Sequence, residues 1–536
     1  MTETWIVIPA RGGSVGVPRK NLRLLVGKPL IAHTIDIALA KVAADHIVVI
    51  TDDDEIAEVS ALRGVQVVRE KTTADGSSTL DELMLRHIPD LMELGATEDD
   101  LLLTLQPTCP LVDPERIAEA QARFVSGAGS VISVKEDRHL RWGIKEGVAK
   151  PLYKARVNRQ LMEPEFRESG AIIGARIRDV LTHKTRIVEP IELIPLTDQE
   201  SLDIDTFADL ATAEHWLTRR KILLFTGGSR ELGMGHLYRT LALAQELARH
   251  EILIVTEDSK PLGREFFKGQ VFEHREVSSH TQLLEIAAGF DLVVLDLLDT
   301  DLGLVSGLRG AGSKVVTFED LGPGAQLADL VVSDIYPNPK AKNQLVGVQN
   351  AILAPSFETV ERRVEIKTGV DHILVLFGGT DPSALAQKSL KALEAIGYSG
   401  RVSCVRGLGA EDLEGEFDLD LQILRNVKNI GSLMASADLA LSSAGRTVTE
   451  LMSIGVPTIC MAQNEKEMSH THASAENGVL NLGLGSKVKD SELQSELHRV
   501  LTDFETRKEM SQTALEQIAG RSNHRVVNRI LDLVSL

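Results

Sequence analysis

Chemistry in this chain is concentrated where glycines, basic residues and carboxylates follow short apolar runs. The stretch RGGSVGVPRKN at 11–21 follows an apolar run directly. Gly12, Gly13 and Gly16 allow backbone amides to approach phosphates, and Arg11, Arg19 and Lys20 supply charge to neutralise them. A tight strand-to-helix turn with solvated basic residues explains the same pattern. Further on, SLDIDTFADL places Asp203 and Asp205 two residues apart. On an extended strand they share one face, roughly 7 Å apart, and so suit a hard cation such as Mg²⁺. The competing role for Asp205 is N-capping of the helix expected from Thr206.

Two further constellations lie beyond residue 220. FTGGSRELGMGHLYR puts His236 and Arg239 at the opening of a helix. The positive end of a helix favours an anion and a neutral imidazole, which suits a general base. The alternative is a histidine that caps or packs the helix start. FGGTDPS follows another apolar run, and LALSSAGRTVTELMSIGVPTI carries Gly445, Arg446 and Thr447 into a helix with Glu450. Gly-Arg-Thr at a helix start offers amides and a cation to a diphosphate, and a carboxylate one turn on can accept both hydroxyls of a ribose. Glu450 is otherwise a solvated helical residue, and Gly455-Val456-Pro457 reads as a helix stop.

The elements that must position these residues alternate short aliphatic runs with amphipathic stretches, the sign of parallel-sheet α/β domains. Strands are expected at 5–9, 46–50, 101–105 and 130–134, with helices at 30–40 and 79–94. From 135 to 170 the periodicity degrades into an Arg-rich excursion; the sheet resumes at 171–174, and a helix at 205–219 closes the unit. A second unit opens at Lys221, with strands at 252–255, 292–295, 314–318 and 330–332. A third starts at His372, with strands at 401–405, 421–424, 439–442 and 458–461. The polar stretch 336–348 reads as a linker. The expected domains are 1–218, 219–345 and 346–536, the last two paired.

At 536 residues the chain exceeds what one core supports. A net charge of −19 argues against nucleic acid and anionic membrane as partners, while leaving small phosphorylated ligands open. Cys109, Cys404 and Cys460 are far apart, without metal spacing, as in a reduced cytosolic protein. No basic leader precedes an apolar run and no window reaches membrane-spanning length. The expectation is a soluble, cytoplasmic protein.

IVIPARGGSVGVPRKN, TDDDEIAE, QPTCPL, NRQ with GAI, and DIDT occur in the order found in CMP-sialic acid synthetases and their nonulosonic-acid relatives, which residues 4–215 resemble. The resemblance implies a nucleotidyltransferase Rossmann-like sheet and attack of a sugar hydroxyl on the α-phosphate of CTP, releasing pyrophosphate. Arg11 and Lys20 would hold the triphosphate, with Gly12 and Gly13 in the phosphate loop. Asn21, Arg69 and Ser78 would lie at the nucleotide, Gln106 at the sugar acid, and Asp203 with Asp205 on Mg²⁺. Arg159 and Gln160 fall in the excursion, which in this family carries the dimer contact and completes the partner's sugar site. The family reads Ser-Lys-Gly where this chain has Val15, and an arginine where it has Val112. The missing cation can be covered by Mg²⁺ or by Arg19.

GMGHLYR, FGGTDPS, SSAGRTVTEL and AQNE resemble a pair of Rossmann-like domains in a GT-B arrangement, most of all the UDP-sugar hydrolase of pseudaminic acid synthesis. That resemblance implies water attack on a UDP-amino sugar with His236 as base, Gly445, Arg446 and Thr447 at the diphosphate, Glu450 at the ribose and Asn464 near the sugar. Departures fall toward the sugar: Asp296-Leu297-Leu298 replaces Asp-x-Tyr, and Asn464-Glu465 replaces Asn-Gln. The expectation is a bifunctional nonulosonic-acid biosynthesis protein, homo-oligomeric through its first domain. The alternatives are a C-terminal glycosyltransferase, or a nucleotide-binding scaffold whose catalysis is lost.

Overall fold

The structure, a computed structural model, describes residues 2–535 apart from 15, 72–78, 228–233, 260, 336–337, 364, 408, 426, 428 and 519–521. Val15 and Ser78 therefore lie outside the described residues. The chain divides into two compact units, Met1–Thr218 and Arg219–Leu536.

The first unit is built on a seven-stranded sheet. Ile47–Thr51 and Leu101–Leu105 are buried along their whole length, as strands covered on both faces must be, and their aliphatic composition follows. Thr4–Pro9 pairs in parallel with both. Gln66–Arg69 forms one edge beyond Ile47–Thr51. On the other side come Phe166–Arg176, antiparallel to its neighbours, then Ser130–Glu136 and Ile191–Pro195. The first strand thus sits between the second and fourth, where the order of connection reverses and a crevice opens beyond the strand ends. The loop at 10–21 and the turn after Leu105 both empty into that crevice.

The stretch 135–170 is more regular than its composition suggests. It holds an antiparallel hairpin, Trp142–Lys145 with Val148–Pro151, and a 3₁₀ turn, Arg159–Leu161, and the returning strand begins at Phe166 rather than 171.

The second unit contains two parallel sheets. In the first the spatial order is Glu273–Val277, Glu251–Glu257, Lys221–Thr226, Leu292–Asp296, Lys314–Phe318, Leu330–Ser333, Gln344–Val346. In the second it is Asp420–Arg425, Arg401–Arg406, His372–Leu376, Leu439–Ser443, Thr458–Ala462, Val479–Leu484. Both follow the 3-2-1-4-5-6 order of a dinucleotide-type fold, with a seventh strand added at the end of the first, so each has its crevice between first and fourth strands. This is the paired, GT-B-type architecture expected.

A boundary at 345/346 would cut the strand Gln344–Val346, because the polar stretch after 336 returns to extend the first sheet instead of acting as a free linker. The helix Ser522–Leu531 also returns to that sheet. Val526, Val527 and Ile530 are buried in a core with Ile222, Leu224, Leu292 and Val316.

Candidate functional sites

In the first unit the glycine loop is shaped by close approach. A Cβ on Gly12 would lie 2.6 Å from Asp53 Oδ2, and one on Gly16 would lie 2.1 Å from the carbonyl oxygen of Asp205. Gly13 borders open space. Only glycine lets the loop lie against the aspartate segment at position 16. Gly12 N–H donates to Asp52 Oδ1 at 2.8 Å. Lys20 Nζ donates to Ile204 O at 2.6 Å and Asp205 Oδ1 at 2.9 Å, with its side chain only 11% exposed. The loop, its lysine and the aspartates therefore form one site, although 185 residues separate Lys20 from Asp205.

The aspartates sit in the non-regular segment 202–205 rather than on a strand. Asp205 does not cap the following helix. Thr206 Oγ1 accepts from Asp209 N at 3.2 Å, while the Asp209 carboxylate accepts from Thr206 N at 2.8 Å. That reciprocal pair satisfies the start of Phe207–Thr218 and leaves the Asp205 carboxylate to Lys20 and solvent. Partial burial, and then the Asp205 charge, raise the Asp203 carboxyl against a hydrogen bond from Thr108. Burial, reinforced by Asp203, pushes the Cys109 thiol up to about 12, so it is an inert wall. Two carboxylates that disfavour each other, with an ammonium already against one, form a donor set that a hard divalent cation fits.

Other expected residues take different places. Asn21 is buried and its amide donates to Arg11 O at 2.9 Å, so it pins the loop instead of projecting toward a base. The Arg11 side chain is exposed. Arg19 lies at φ 54° with its guanidinium 2.9 Å from Glu55. Arg69 donates to Asp53 O at 2.8 Å and Asp54 Oδ1 at 2.6 Å. Gln106, just past Leu101–Leu105, lies against Gly170, where a Cβ would fall 2.8 Å from Nε2. Arg159 and Gln160 stand exposed on their 3₁₀ turn, and no hydrogen bond joins their side chains to the glycine loop, Gln106 or the aspartates among the described residues.

In the second unit His236 is the second residue of Gly235–Glu246, at the crevice of the first sheet. Its Nδ1 lies 2.5 Å from Asp296 Oδ1, at the C-terminal end of Leu292–Asp296. Arg239 Nη2 is 3.3 Å from the same nitrogen. The carboxylate only accepts and is the closer partner, while Arg239 Nη2 already donates to Asp296 Oδ1 at 2.5 Å, so Nδ1 carries the hydrogen toward Asp296 and Nε2 is left as the base. Arg239 clamps Asp296 at 2.8 and 2.5 Å. Burial works against the Asp296 charge, but Arg239 and His236 overcome it and hold the carboxyl well below the usual range.

From the second sheet, Gly445, Arg446 and Thr447 lie between Leu439–Ser443 and Thr447–Ile454. The Arg446 guanidinium is turned inward. It donates to Ile352 O at 2.6 Å and sits 3.6 Å from Asp334 Oδ2, so it is not offered to a diphosphate as expected. His470 Nδ1 donates to Ala444 O and His472 Nε2 to Gly445 O, at 2.8 and 2.9 Å, fixing the loop from beneath. Glu450 is half-buried rather than solvated; burial, opposed by Arg446, pushes its carboxyl up to about 7. Its charge reaches the Tyr238 hydroxyl on Gly235–Glu246. Asn464 is exposed, and its Oδ1 caps the turn Glu467–Ser469 by accepting from Glu467 N at 3.0 Å.

Asp296 and Gln463 fall within sequence motifs that assign them no role, and Glu319 and Asp334 fall within none. Gln463 Nε2 ties the FGGTDPS loop through Asp381 Oδ1 at 2.9 Å. A carboxylate that ends an all-buried strand beside the crevice, as in LVVLD, was the available signal for Asp296.

Residues 5–130 match the family described as Cytidylyltransferase, and residues 373–529 match the Glycosyltransferase family 28 C-terminal domain. The spore coat polysaccharide biosynthesis protein SpsG of Bacillus subtilis is 26% identical over 331 residues, 58% of this chain and 97% of that protein. Among solved structures, MurG of Acinetobacter baumannii aligns with a TM-score of 0.45 and 16% identity, covering 59% of this chain and 99% of that one. The CMP-N,N'-diacetyllegionaminic acid synthase of Legionella pneumophila is 35% identical over 217 residues, 39% of this chain and 93% of that protein. Through its first unit, the chain belongs to the cytidylyltransferase family.

Proposed function

We propose that the first unit transfers CMP from CTP to a nonulosonic acid and that the second cleaves a UDP-amino sugar to UDP and free sugar. The joining of the glycine loop, Lys20 and the Asp203–Asp205 pair at one crevice carries the first half of this reading. A sugar hydroxyl attacks the α-phosphorus, the bond to the pyrophosphate oxygen breaks, and the hydroxyl proton leaves to solvent or a nearby carboxylate. Arg11 and Lys20 orient the triphosphate and offset its charge, with Gly12 and Gly13 letting amides approach it. Asp203 and Asp205 are the residues that would hold Mg²⁺, which supplies charge neutralisation at phosphate oxygens. Gln106 contacts the sugar acid from the opposite side of the crevice.

A second copy of the chain completes that site in this reading. Trp142 (59% exposed), Ile144 (81%), Leu152 (69%) and Leu161 (75%) give the hairpin region an uncovered apolar surface beside Arg159 and Gln160.

In the second unit the ordered His236–Asp296 pair carries the reading. His236 Nε2 takes a proton from water as its oxygen attacks the anomeric carbon, and the bond to UDP breaks. The match to the glycosyltransferase 28 domain supports a second reading, in which an acceptor hydroxyl replaces that water.

Incubation with CTP, Mg²⁺ and a panel of nonulosonic acids should release pyrophosphate, and Asp205→Ala should lose it while keeping UDP release. His236→Ala should do the reverse. UDP and free sugar formed without an acceptor identify hydrolysis, whereas release that requires an added alcohol identifies transfer. Loss of both activities in either folded variant would refute the two-site reading.

A further inference from the structure

An unbroken line of charged side chains runs from His236 to the loop that opens Thr447–Ile454. His236 is held by Asp296 at 2.5 Å, and Asp296 by Arg239. Arg239 Nη1 then lies 3.5 Å from Asp334 Oδ1 and 3.4 Å from Glu319 Oε1. Asp334 Oδ2 in turn lies 3.6 Å from Arg446 Nη1. Asp334 follows the strand Leu330–Ser333 of the first sheet, whereas Arg446 follows Leu439–Ser443 of the second. One carboxylate therefore joins a cation from each sheet. Asp296, Glu319 and Asp334 are all 3% exposed or less.

One shared proton balances the charges and the hydrogen bonds of this line. Three carboxyls face two guanidinium groups, and an unmatched buried charge is costly. Glu319 Oε2 and Asp334 Oδ2 have no hydrogen-bond donor among the described residues. The Glu319 and Asp334 side chains interact with each other, and one proton held between the two carboxyls satisfies both. Burial and the Asp334 charge raise the Glu319 carboxyl, which makes Glu319 the holder, while its Oε1 accepts from Asp334 N and Ile335 N at 2.8 and 3.3 Å. Glu319 also keeps a left-handed φ of 53°, a conformation that costs energy for a residue with a side chain and persists where its surroundings enforce it.

We propose that Asp334, bridged to Glu319 by a shared proton, is a positioning residue that couples the nucleotide-facing loop at Gly445–Thr447 to the orientation of His236. Arg446 does not meet the diphosphate; it reports the loop's position inward, through Asp334, Arg239 and Asp296. The inference rests on the reading of the second unit as a UDP-sugar enzyme.

The test uses the full chain, with UDP as the probe. In Asp334→Asn, kcat for UDP release should fall by on the order of 10- to 100-fold. KM and UDP affinity should stay within about 3-fold, since no contact to ligand is removed. Glu319→Gln retains a donor at the shared position and should keep most of kcat, whereas Glu319→Leu should lose as much as Asp334→Asn. A readout free of catalysis is the imidazole Nδ1–H resonance of His236 in ¹⁵N-histidine protein, assigned by its loss in His236→Ala. It should shift when UDP binds the wild type and stay still when UDP binds Asp334→Asn. Unchanged kcat in Asp334→Asn, equal damage from Gln and Leu at 319, or a UDP shift that persists in Asp334→Asn would each overturn the coupling. Absence of UDP binding to the wild type, seen by calorimetry before any variant is made, would instead sink the functional reading and the inference with it.

Discussion

Asp296 performs one task that a neutral amide cannot. As a carboxylate it fixes the hydrogen of His236 on Nδ1, whereas an asparagine can present its own N–H and reverse the tautomer. Asp296→Asn should lower UDP release by roughly 10³-fold or more, with the UDP affinity of the folded variant as control. In the sequence the same residue is only the retained aspartate of a motif that departs at Leu298, with no role assigned, because its partner, His236, is 60 positions away. Glu450 gives a pH signature. Its folded carboxyl, at about 7, lies above the ordinary 4.5, so the folded state holds the proton more tightly. Stability of the second unit should therefore fall as pH rises from about 4.5 to about 7 and then level off, by on the order of 3 kcal/mol at most. Thermal scans of wild type against Glu450→Gln across that window check this, since the variant should lack this part of the slope. Gly170 makes a separate case: at φ +73° it leaves room for the Gln106 amide. Gly170→Ala should raise KM for the sugar acid by on the order of 10-fold while KM for CTP stays near wild type, measured by pyrophosphate release.

At the scale of elements, long buried strands were legible and short exposed ones were not. Runs such as IVVIT and LLLTL announce themselves because both faces are covered. The hairpin Trp142–Lys145 and Val148–Pro151 has almost no buried face, so no alternation marks it, and the stretch reads as irregular. Its pairing is backbone hydrogen bonding, to which side-chain pattern is blind. The cap of Phe207–Thr218 shows the same limit in finer detail. Asp205 and Thr206 are both good capping residues by type, and only the reciprocal bonds with Asp209 decide between them. If the apolar hairpin surface joins two copies, Ile144→Asp combined with Leu161→Asp should lower the molar mass seen by light scattering. Pyrophosphate release should fall with it, since Arg159 and Gln160 would no longer reach a partner's site.

At the scale of the whole molecule, all three large sheets place their first strand between the second and the fourth. The chemistry-bearing loops fall at those reversals in each, which is why glycine-rich turns after first strands located the sites from sequence. What closes each site comes from far along the chain: Asp205 to Lys20, Asp334 to Arg446. Such pairings are set by topology and packing, and no local spacing records them.

The returning helix Ser522–Leu531 has a consequence for biosynthesis. Asn523 donates to Glu246 Oε1 at a separation of 277 residues, and Arg220 reaches Val534 O at 314. A ribosome adding about 5–20 residues per second needs roughly 15 to 60 s to cover the span from 246 to 523. Through that interval the nascent first sheet displays the apolar surface that Val526, Val527 and Ile530 will cover. The core of the second unit therefore closes only when this helix emerges, whereas the first unit ends at residue 218 and has all its own contacts well before then.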